Sequence, residues 1–451
     1  MEQKYIVALE IGSSHIRAAV GTVDDSGILT LLAVEDDYAV EIVRYGTIQN
    51  VEDVSNRVKS LIRKLENYPS IHPRKIKGVY ISVGGRSTTT TSRQVVRQYD
   101  TEVDITEQII SQIKEEAKLN GLSDRTVIDV CPREFVVDNL ECSNPIGTLG
   151  KNIRADINLV TCKPKILRNF DIALTERQNL SIKNTFVRQN SIADLVVTSD
   201  EKKLGCMLVD FGAETTTVSV YKNDSLRYLA TLPIGSRNIT RDVMATNLTE
   251  EKAEEVKRTI GDAVNVEPKI RSYNGFSGDI MEVNSYIRAR AGEIVLNVIE
   301  QAKYAGYAGI SELPAGIIIV GGGAKLRGFN DLLAEQSGAK VRLGAIPSTI
   351  RISDPRLQSP DMIDIVALLN SASHKALECT ESAPVPQPNV DPFEDEAEGF
   401  KPKSNGKKEK DKENAGKDNN RVNPGKSSGF WRKMQTKLTD LFVEDDSDDE
   451  Q

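Results

Sequence analysis

Two strand–turn units set far apart in the chain constrain its fold more than any other feature. The first is Ile6-Val7-Ala8-Leu9-Glu10-Ile11-Gly12-Ser13-Ser14. The second is Met207-Leu208-Val209-Asp210-Phe211-Gly212-Ala213-Glu214-Thr215-Thr216-Thr217. Each reads as a buried strand, an acid two residues before a glycine, and hydroxyls that enter a second strand. Glycine permits a tight turn and lets backbone N–H groups approach a bound anion. The hydroxyls add donors, and Glu10 and Asp210 have the chemistry to hold a hydrated Mg²⁺. A third turn, Gly321-Gly322-Gly323-Ala324, follows the apolar run Gly316–Val320. Together they predict two related lobes closing on one nucleotide. The clamp is not a P-loop, because no G-x-x-x-x-G-K-[ST] occurs.

Length allows several domains: 451 residues at roughly 100–200 per domain gives two to four. A net charge of -8 argues against general nucleic-acid binding. The five cysteines lie far apart with no C-x-x-C pair, so neither a disulfide framework nor a zinc site is expected. Three histidines leave no histidine-rich metal site, and His15, beside the first turn, reads as a packing or solvated residue. The chain enters a strand almost at once, without a signal region, and no apolar run reaches the ~18 residues of a membrane span. The expected location is the cytosol or a membrane surface facing it.

Periodicity orders the rest. Strands are expected at Tyr5–Leu9, Arg17–Thr22 and Leu29–Glu35, a helix at Val51–Leu65, and a strand ending at Gly84-Gly85. Residues 84–162 then read strand, helix, strand, strand: Arg86–Arg97, Ile105–Leu119, Thr126–Val137 and Arg154–Thr161. This unit looks inserted. Later helices are expected at Asn238–Asn247, from Thr249, at Asp279–Lys303, Asn330–Gln336 and Asp361–Leu377. Residues 381–427 are rich in Pro, Lys, Asn, Gly, Asp and Glu and read as a disordered tether. Residues 428–443 read as an amphipathic helix. Phe430, Trp431, Met434, Leu438, Leu441 and Phe442 share one face, and Arg432, Lys433 and Lys437 lie on the other. Aromatic and basic faces on a tether suit an anionic membrane surface. Docking on the protein's own body or a partner groove is the alternative. One such helix binds weakly, so stable attachment calls for several copies in one assembly. Residues 444–451 form an acidic tail.

At these residues the sequence resembles the actin and Hsp70 superfamily. Ala8–Ser14 is similar to its first phosphate motif, Asp210–Thr216 to its second, and Ile319–Ala324 to its adenosine motif. Leu232–Asp242, with Gly235, resembles the segment after the second hairpin. Ala253–Lys257 resembles the helix whose Glu and Lys, here Glu254 and Lys257, reach the nucleoside. Arg133–Asp138 and Asn144–Gly147 resemble the inserted subdomain of the bacterial cell-division family FtsA, which the chain resembles over nearly its whole length.

That resemblance implies an α/β, actin-like two-lobe ATPase fold with an inserted α+β subdomain, a disordered linker and a terminal amphipathic helix. It assigns 1–83 and 163–195 to the first lobe, 84–162 to the insertion, 196–237 and 307–380 to the second lobe, and 238–306 to a subdomain of that lobe. It implies ATP and Mg²⁺ as ligands. The nucleotide-binding residues are Gly12, Ser13, Ser14, Asp210, Gly212, Ala213, Glu214, Thr215, Thr216, Gly235, Glu254, Lys257, Gly321, Gly322, Gly323 and Ala324. Glu10 and Asp210 hold the metal through water. No catalytic residue is assigned, and the longer Glu10 side chain points to binding with weak or no hydrolysis. The implied role is a polymer on the cytoplasmic membrane at the division septum that anchors FtsZ filaments. The FtsZ tail would meet Arg288, Arg290 and Lys303, and the insertion would meet later division proteins or a neighbouring copy. The alternatives are a small-molecule kinase of the same superfold and a shape- or pilus-determining actin homologue.

Overall fold

The structure, a computed structural model, describes residues 3–119, 124–265 and 278–382. The first lobe opens with three antiparallel strands, β1 (Lys4–Ile11), β2 (His15–Val23) and β3 (Leu29–Tyr38). Helix α1 (Val51–Glu66) then crosses back to β4 (Gly78–Val83), which lies parallel to β1. The helix starts where Asn50 accepts the Asp53 N–H, and Val54, Val58, Leu61 and Leu65 put one stripe into the core.

The insertion follows as β5 (Thr89–Asp104), α2 (Glu107–Leu119), β6 (Thr126–Val137), β7 (Leu140–Cys142) and β8 (Leu149–Cys162). Its sheet runs β7-β6-β8-β5, with Ile105, Ile110 and Ile113 packed on Phe135, Ile153, Ala155 and Ile157 in a core of its own. Helix α3 (Pro164–Asp171), β9 (Ser181–Val187) and α4 (Arg188–Val196) return the chain to the first lobe, whose sheet begins β9-β4-β1-β2-β3.

The second lobe repeats the first. Strands β10 (Cys206–Phe211), β11 (Thr216–Lys222) and β12 (Ser225–Leu232) are antiparallel. Helices α6 (Ser236–Val243), α7 (Glu250–Thr259) and α8 (Ile280–Tyr304) follow, α5 being the short Ser199–Leu204. Strand β13 (Gly316–Val320) then lies parallel to β10. Helix α9 (Phe329–Ser337) and β14 (Val341–Leu343) close a sheet ordered β12-β11-β10-β13-β14. The helices of 238–306 share one core with the front of this sheet: Met207 and Val209 pack with Ile239, Val256, Ile287 and Ile294.

Two boundaries expected from sequence are corrected. Residues 307–380 do not all belong to the second lobe. Strand β15 (Arg351–Ile352) pairs with β3, and α10 (Ile363–Ser373) buries Ile365, Val366 and Leu368 in the first lobe's core. Helix α10 is apolar over most of its circumference, so its periodicity carries little information about which sheet it covers. Residue 381, expected to open the tether, belongs to the folded body: Thr380–Glu381 pairs with Lys75–Ile76 after the Cys379 N–H bonds the Tyr5 carbonyl. Residues 383–451, with the rest of the expected tether, the amphipathic helix of Phe430–Phe442 and the acidic tail, lie outside the described residues. No helix among the described residues is long and apolar enough to cross a membrane.

Candidate nucleotide site

Both lobes present the same turn. The Gly12 N–H donates to the His15 carbonyl at 2.9 Å, and the Gly212 N–H donates to the Thr215 carbonyl at 2.9 Å. The β1–β2 and β10–β11 turns, the Gly321 turn after β13 and helix α7 border one cavity of about 480 Å³. Gly321 has φ 91°, and a Cβ there would lie 2.5 Å from the Phe211 carbonyl oxygen and 2.7 Å from Asp210 Oδ1. Only glycine fits. Of the residues expected from sequence, Glu10, Gly12, Ser13, Ser14, Asp210, Gly212, Ala213, Thr215, Glu254, Lys257, Gly321, Gly322 and Gly323 line this cavity.

Four expected contacts are not in the lining. Glu214 is 3% exposed and committed to Arg44 Nε at 2.9 Å, Arg237 Nη1 at 3.1 Å and the Tyr45 N–H at 2.8 Å. Thr216 turns its hydroxyl onto the Ile234 carbonyl at 2.7 Å. Gly235 packs on the second turn, where a Cβ would lie 2.5 Å from the Ala213 oxygen. Ala324 sits in the second lobe's core. All four serve the loops that bound the cavity.

Charge inside the cavity is arranged in a way the sequence did not reveal. Glu10, 2% exposed, has both carboxylate oxygens taken: Oε2 by Arg17 Nη1 at 3.0 Å and Oε1 by Arg188 Nη2 at 3.3 Å. Asp210 is buried nearby and, among the described residues, has no ion pair. Burial pushes its carboxyl up to about 6, Arg188 opposing the shift and Glu10 adding to it. Asp364, on α10, has Oδ1 sealed from solvent without a hydrogen-bond partner. Burial, Asp210 and Glu10 hold its carboxyl well above the ordinary range. Lys325 and Asp361 pair at 2.6 Å on the same lining. His15 also lines the cavity, its Nδ1 2.8 Å from Ser14 Oγ, and burial lowers its basicity. Among the described residues no group of three or more His, Cys, Asp or Glu is placed to hold a metal alone.

Lys257 and Glu254 are not a solvated surface pair. The Lys257 side chain is 5% exposed, and its Nζ reaches Glu254 at 2.6 Å, Thr240 Oγ1 at 2.9 Å and the Ser236 carbonyl at 3.1 Å. The three basic residues considered for a partner tail each have a partner in the chain. Arg290 meets Asp242 at 2.6 Å, Lys303 meets Glu300 at 2.7 Å, and Arg288 donates to the Val264 carbonyl at 3.2 Å.

The sequence profile described as "Cell division protein FtsA" matches residues 207–361, and that of the "SHS2 domain inserted in FTSA" matches 84–161. Curated proteins named cell division protein FtsA match along most of their length. That of Porphyromonas gingivalis is 29% identical over 76% of this chain and 74% of its own. That of Bacillus subtilis is 26% identical over 78% and 80%, and that of Escherichia coli K12 is 25% identical over 82% and 90%. The chain belongs to the FtsA family. FtsA membership makes it an actin-like cell division protein, and the SHS2 match coincides with the insertion between β4 and α3. A solved PilM–PilN type IV pilus biogenesis complex holds a chain of the same fold, with a TM-score of 0.58 and 16% identity over 82% of this chain and 98% of that one. At that identity the likeness describes the fold alone.

Proposed function

We propose that this FtsA-family chain binds ATP with Mg²⁺ between its lobes, polymerises on the cytoplasmic face of the cell membrane at the septum, and anchors FtsZ filaments there. The observation that carries the nucleotide reading is the convergence of two like glycine turns and the Gly321 turn on one cavity. The Ser13, Ser14 and Thr215 hydroxyls and the turn N–H groups would meet phosphate, and the α7 side would meet the nucleoside.

The residues fit a magnesium ion, with one adjustment. Mg²⁺ is usually held by one or two carboxylates together with phosphate oxygens and waters. Among the described residues Asp210 has no ion pair and Asp364 Oδ1 has no hydrogen-bond partner, so a cation beside them would favour their charged forms and find their oxygens unclaimed. Glu10 is already neutralised by Arg17 and Arg188. We therefore assign the ion to Asp210 with Asp364, and Glu10 to orienting the two guanidinium groups. When bound, Mg²⁺ would offset the charge of the phosphate tail. With Glu10 engaged by Arg17 and Arg188, this reading favours nucleotide binding with weak or no hydrolysis.

The amphipathic segment Phe430–Phe442 would lie in the membrane interface and the insertion would meet later division proteins or a neighbouring copy. FtsZ's tail would dock on 238–306, where Arg288, Arg290 and Lys303 would have to exchange their present partners. Vesicle flotation with ATP-Mg²⁺ and FtsZ tests the whole reading, comparing the full chain with one ending at Gly425. FtsZ floating only with the full chain is the expected result. A full chain that stays in solution removes the membrane role. A full chain that floats without FtsZ removes the anchoring role and favours a shape-determining homologue.

A further inference from the structure

We propose that the turn at Tyr45–Gly46 couples occupancy of the nucleotide cleft to the inserted subdomain, with Glu214 as the positioning residue that holds the turn. The proposal rests on the nucleotide reading above.

Both phosphate hairpins end on this turn. The Gly46 N–H donates to Ser13 Oγ at 3.2 Å. The Tyr45 N–H donates to Glu214 at 2.8 Å, while Arg44 and Arg237 close on the same carboxylate. A serine hydroxyl donates and accepts at once. Ser13 therefore has its proton free for a phosphate oxygen while it accepts from Gly46. Glu214 stands on the second hairpin between Ala213 and Thr215, which line the cleft. A ligand that draws either hairpin inward pulls on the same two residues.

The other side of the turn is the root of the insertion. The Arg86 N–H donates to the Tyr45 carbonyl at 3.1 Å. Gly46 and Gly85 face each other at positive φ, 76° and 93°, and a Cβ on Gly46 would lie 2.7 Å from the Gly85 Cα. Backbone meets backbone with no side chain between them to absorb a displacement. Arg125 sews the entry strand to the exit strand, bonding the Ser87 carbonyl, Thr161 Oγ1 at 2.7 Å and the Thr161 carbonyl at 3.1 Å.

A second tie joins the insertion to the other lobe. The Asn158 side-chain amide, 1% exposed, donates to the Leu226 carbonyl at 2.8 Å and the Arg227 carbonyl at 3.2 Å on β12. Ser225 Oγ donates to the Arg133 carbonyl at 2.9 Å. The insertion is thus tied to both lobes. A change in the angle between the lobes must alter one tie or move the subdomain. Cleft and insertion are two sites joined by a contiguous hydrogen-bonded path, and coupling along such a path is typically worth 5- to 150-fold in equilibrium.

Hydrogen exchange on the full chain, with and without saturating ATP-Mg²⁺, tests this, with ATP affinity measured on the same samples. The expected result is about tenfold slower exchange in Thr89–Asp104 when ATP is bound. Glu214→Gln and, separately, Asn158→Ala should abolish most of that difference while ATP still binds. A purely structural role would change exchange equally with and without ATP, so the ATP-dependent difference is the deciding quantity. Asn158→Ala decides alone should Glu214→Gln fail to fold. Wild-type chain that binds ATP with no change in Thr89–Asp104 overturns the coupling but leaves nucleotide binding intact. Variants that keep the full ATP-dependent slowing overturn it as well. No ATP binding by the wild-type chain overturns both.

Discussion

Glu10, Arg17 and Arg188 form a buried triad in which Glu10 is the nearest anion to both guanidinium groups, with Asp361 Oδ2 also 3.9 Å from Arg17 Nη2. Removing the Glu10 carboxylate takes the closest anion from two guanidinium groups in a poorly solvated cleft floor. Breaking such a pair typically costs about 3–5 kcal/mol. We expect Glu10→Ala to lose stability of that order in urea unfolding of the nucleotide-free chain, and Glu10→Gln to lose less because it keeps the hydrogen-bonding shape. A loss below about 0.5 kcal/mol for Glu10→Ala would mean that solvent screens the triad. Asp210 carries the opposite stress. Its folded-state carboxyl sits near 6, above the usual carboxylate value, because burial disfavours the anion. The folded chain therefore holds that proton more tightly than the unfolded chain. The resulting stability is present below about pH 4 and is lost as pH rises through about 6. Asp210→Asn should raise the stability of the nucleotide-free chain at pH 7.5 by about 1–3 kcal/mol, change it little near pH 4, and weaken ATP-Mg²⁺ binding. An equal effect of the substitution at both pH values would show that Asp210 titrates normally. A site that holds unneutralised carboxylates in the absence of ligand gives up stability for binding, as functional sites commonly do.

At the scale of elements, α7 shows how a helix can be both scaffold and lining. Thr249 caps it by accepting the Lys252 N–H, and Ala253, Val256 and Lys257 face inward. Lys257 ties α7 to α6 through Thr240 and the Ser236 carbonyl. Glu254→Ala would strip the ammonium of its charge partner. Because Glu254 is 41% exposed, water recovers part of the loss, and the expected cost is about 1–2 kcal/mol. Faster amide exchange in both α6 and α7 would accompany it; a change confined to α7 would mean that Lys257 does not join the two helices. Elements of this kind were largely legible in sequence. The apolar stripe of Val51–Leu65, the helix starts at Thr249 and Asp279, and the two glycine turns depend on local spacing, and all occur where the pattern puts them. Strand β7 was not legible, because the turn at Asp138 and Asn139, both at positive φ, lacks the glycine that usually marks such a hairpin. Helix α4 hid because its buried face includes Gln189 and Ser191. Glu214 misled because its spacing from Gly212 fits a phosphate loop, whereas its partners Arg44, Tyr45 and Arg237 come from distant parts of the chain. Arg17, Arg188 and Asp364 carry no local signature, since only the folded sheets bring β2, α4 and α10 to one cavity.

For the whole molecule, the main consequence is that the cavity is not owned by either lobe. Ser13 and Ser14 come from the first sheet's hairpin, Gly212 and Thr215 from the second's, and α10 brings Asp364 back to the first. A ligand that touches all of them binds only when both sheets are folded and correctly placed. Binding exclusive to that state stabilises it by RT ln(1 + [L]/Kd), about 2.7 kcal/mol at a hundredfold excess over Kd. That free energy should appear in both lobes at once. The slowest-exchanging amides should belong to β1 from Ile6 onward and to β10, where the strands are buried. With ATP-Mg²⁺ at a hundred times its Kd, their exchange should slow together, by about a hundredfold. Slowing in β1 without β10, or the reverse, would mean that the nucleotide grips one hairpin only and that the lobes unfold independently. Slowing in neither, with ATP demonstrably bound, would place the ligand outside the cleft. Concerted protection would mean that one bound nucleotide makes two lobes and the subdomain tied across them behave as a single cooperative unit, a property a protomer needs if it is to present a fixed shape to its neighbours in a polymer.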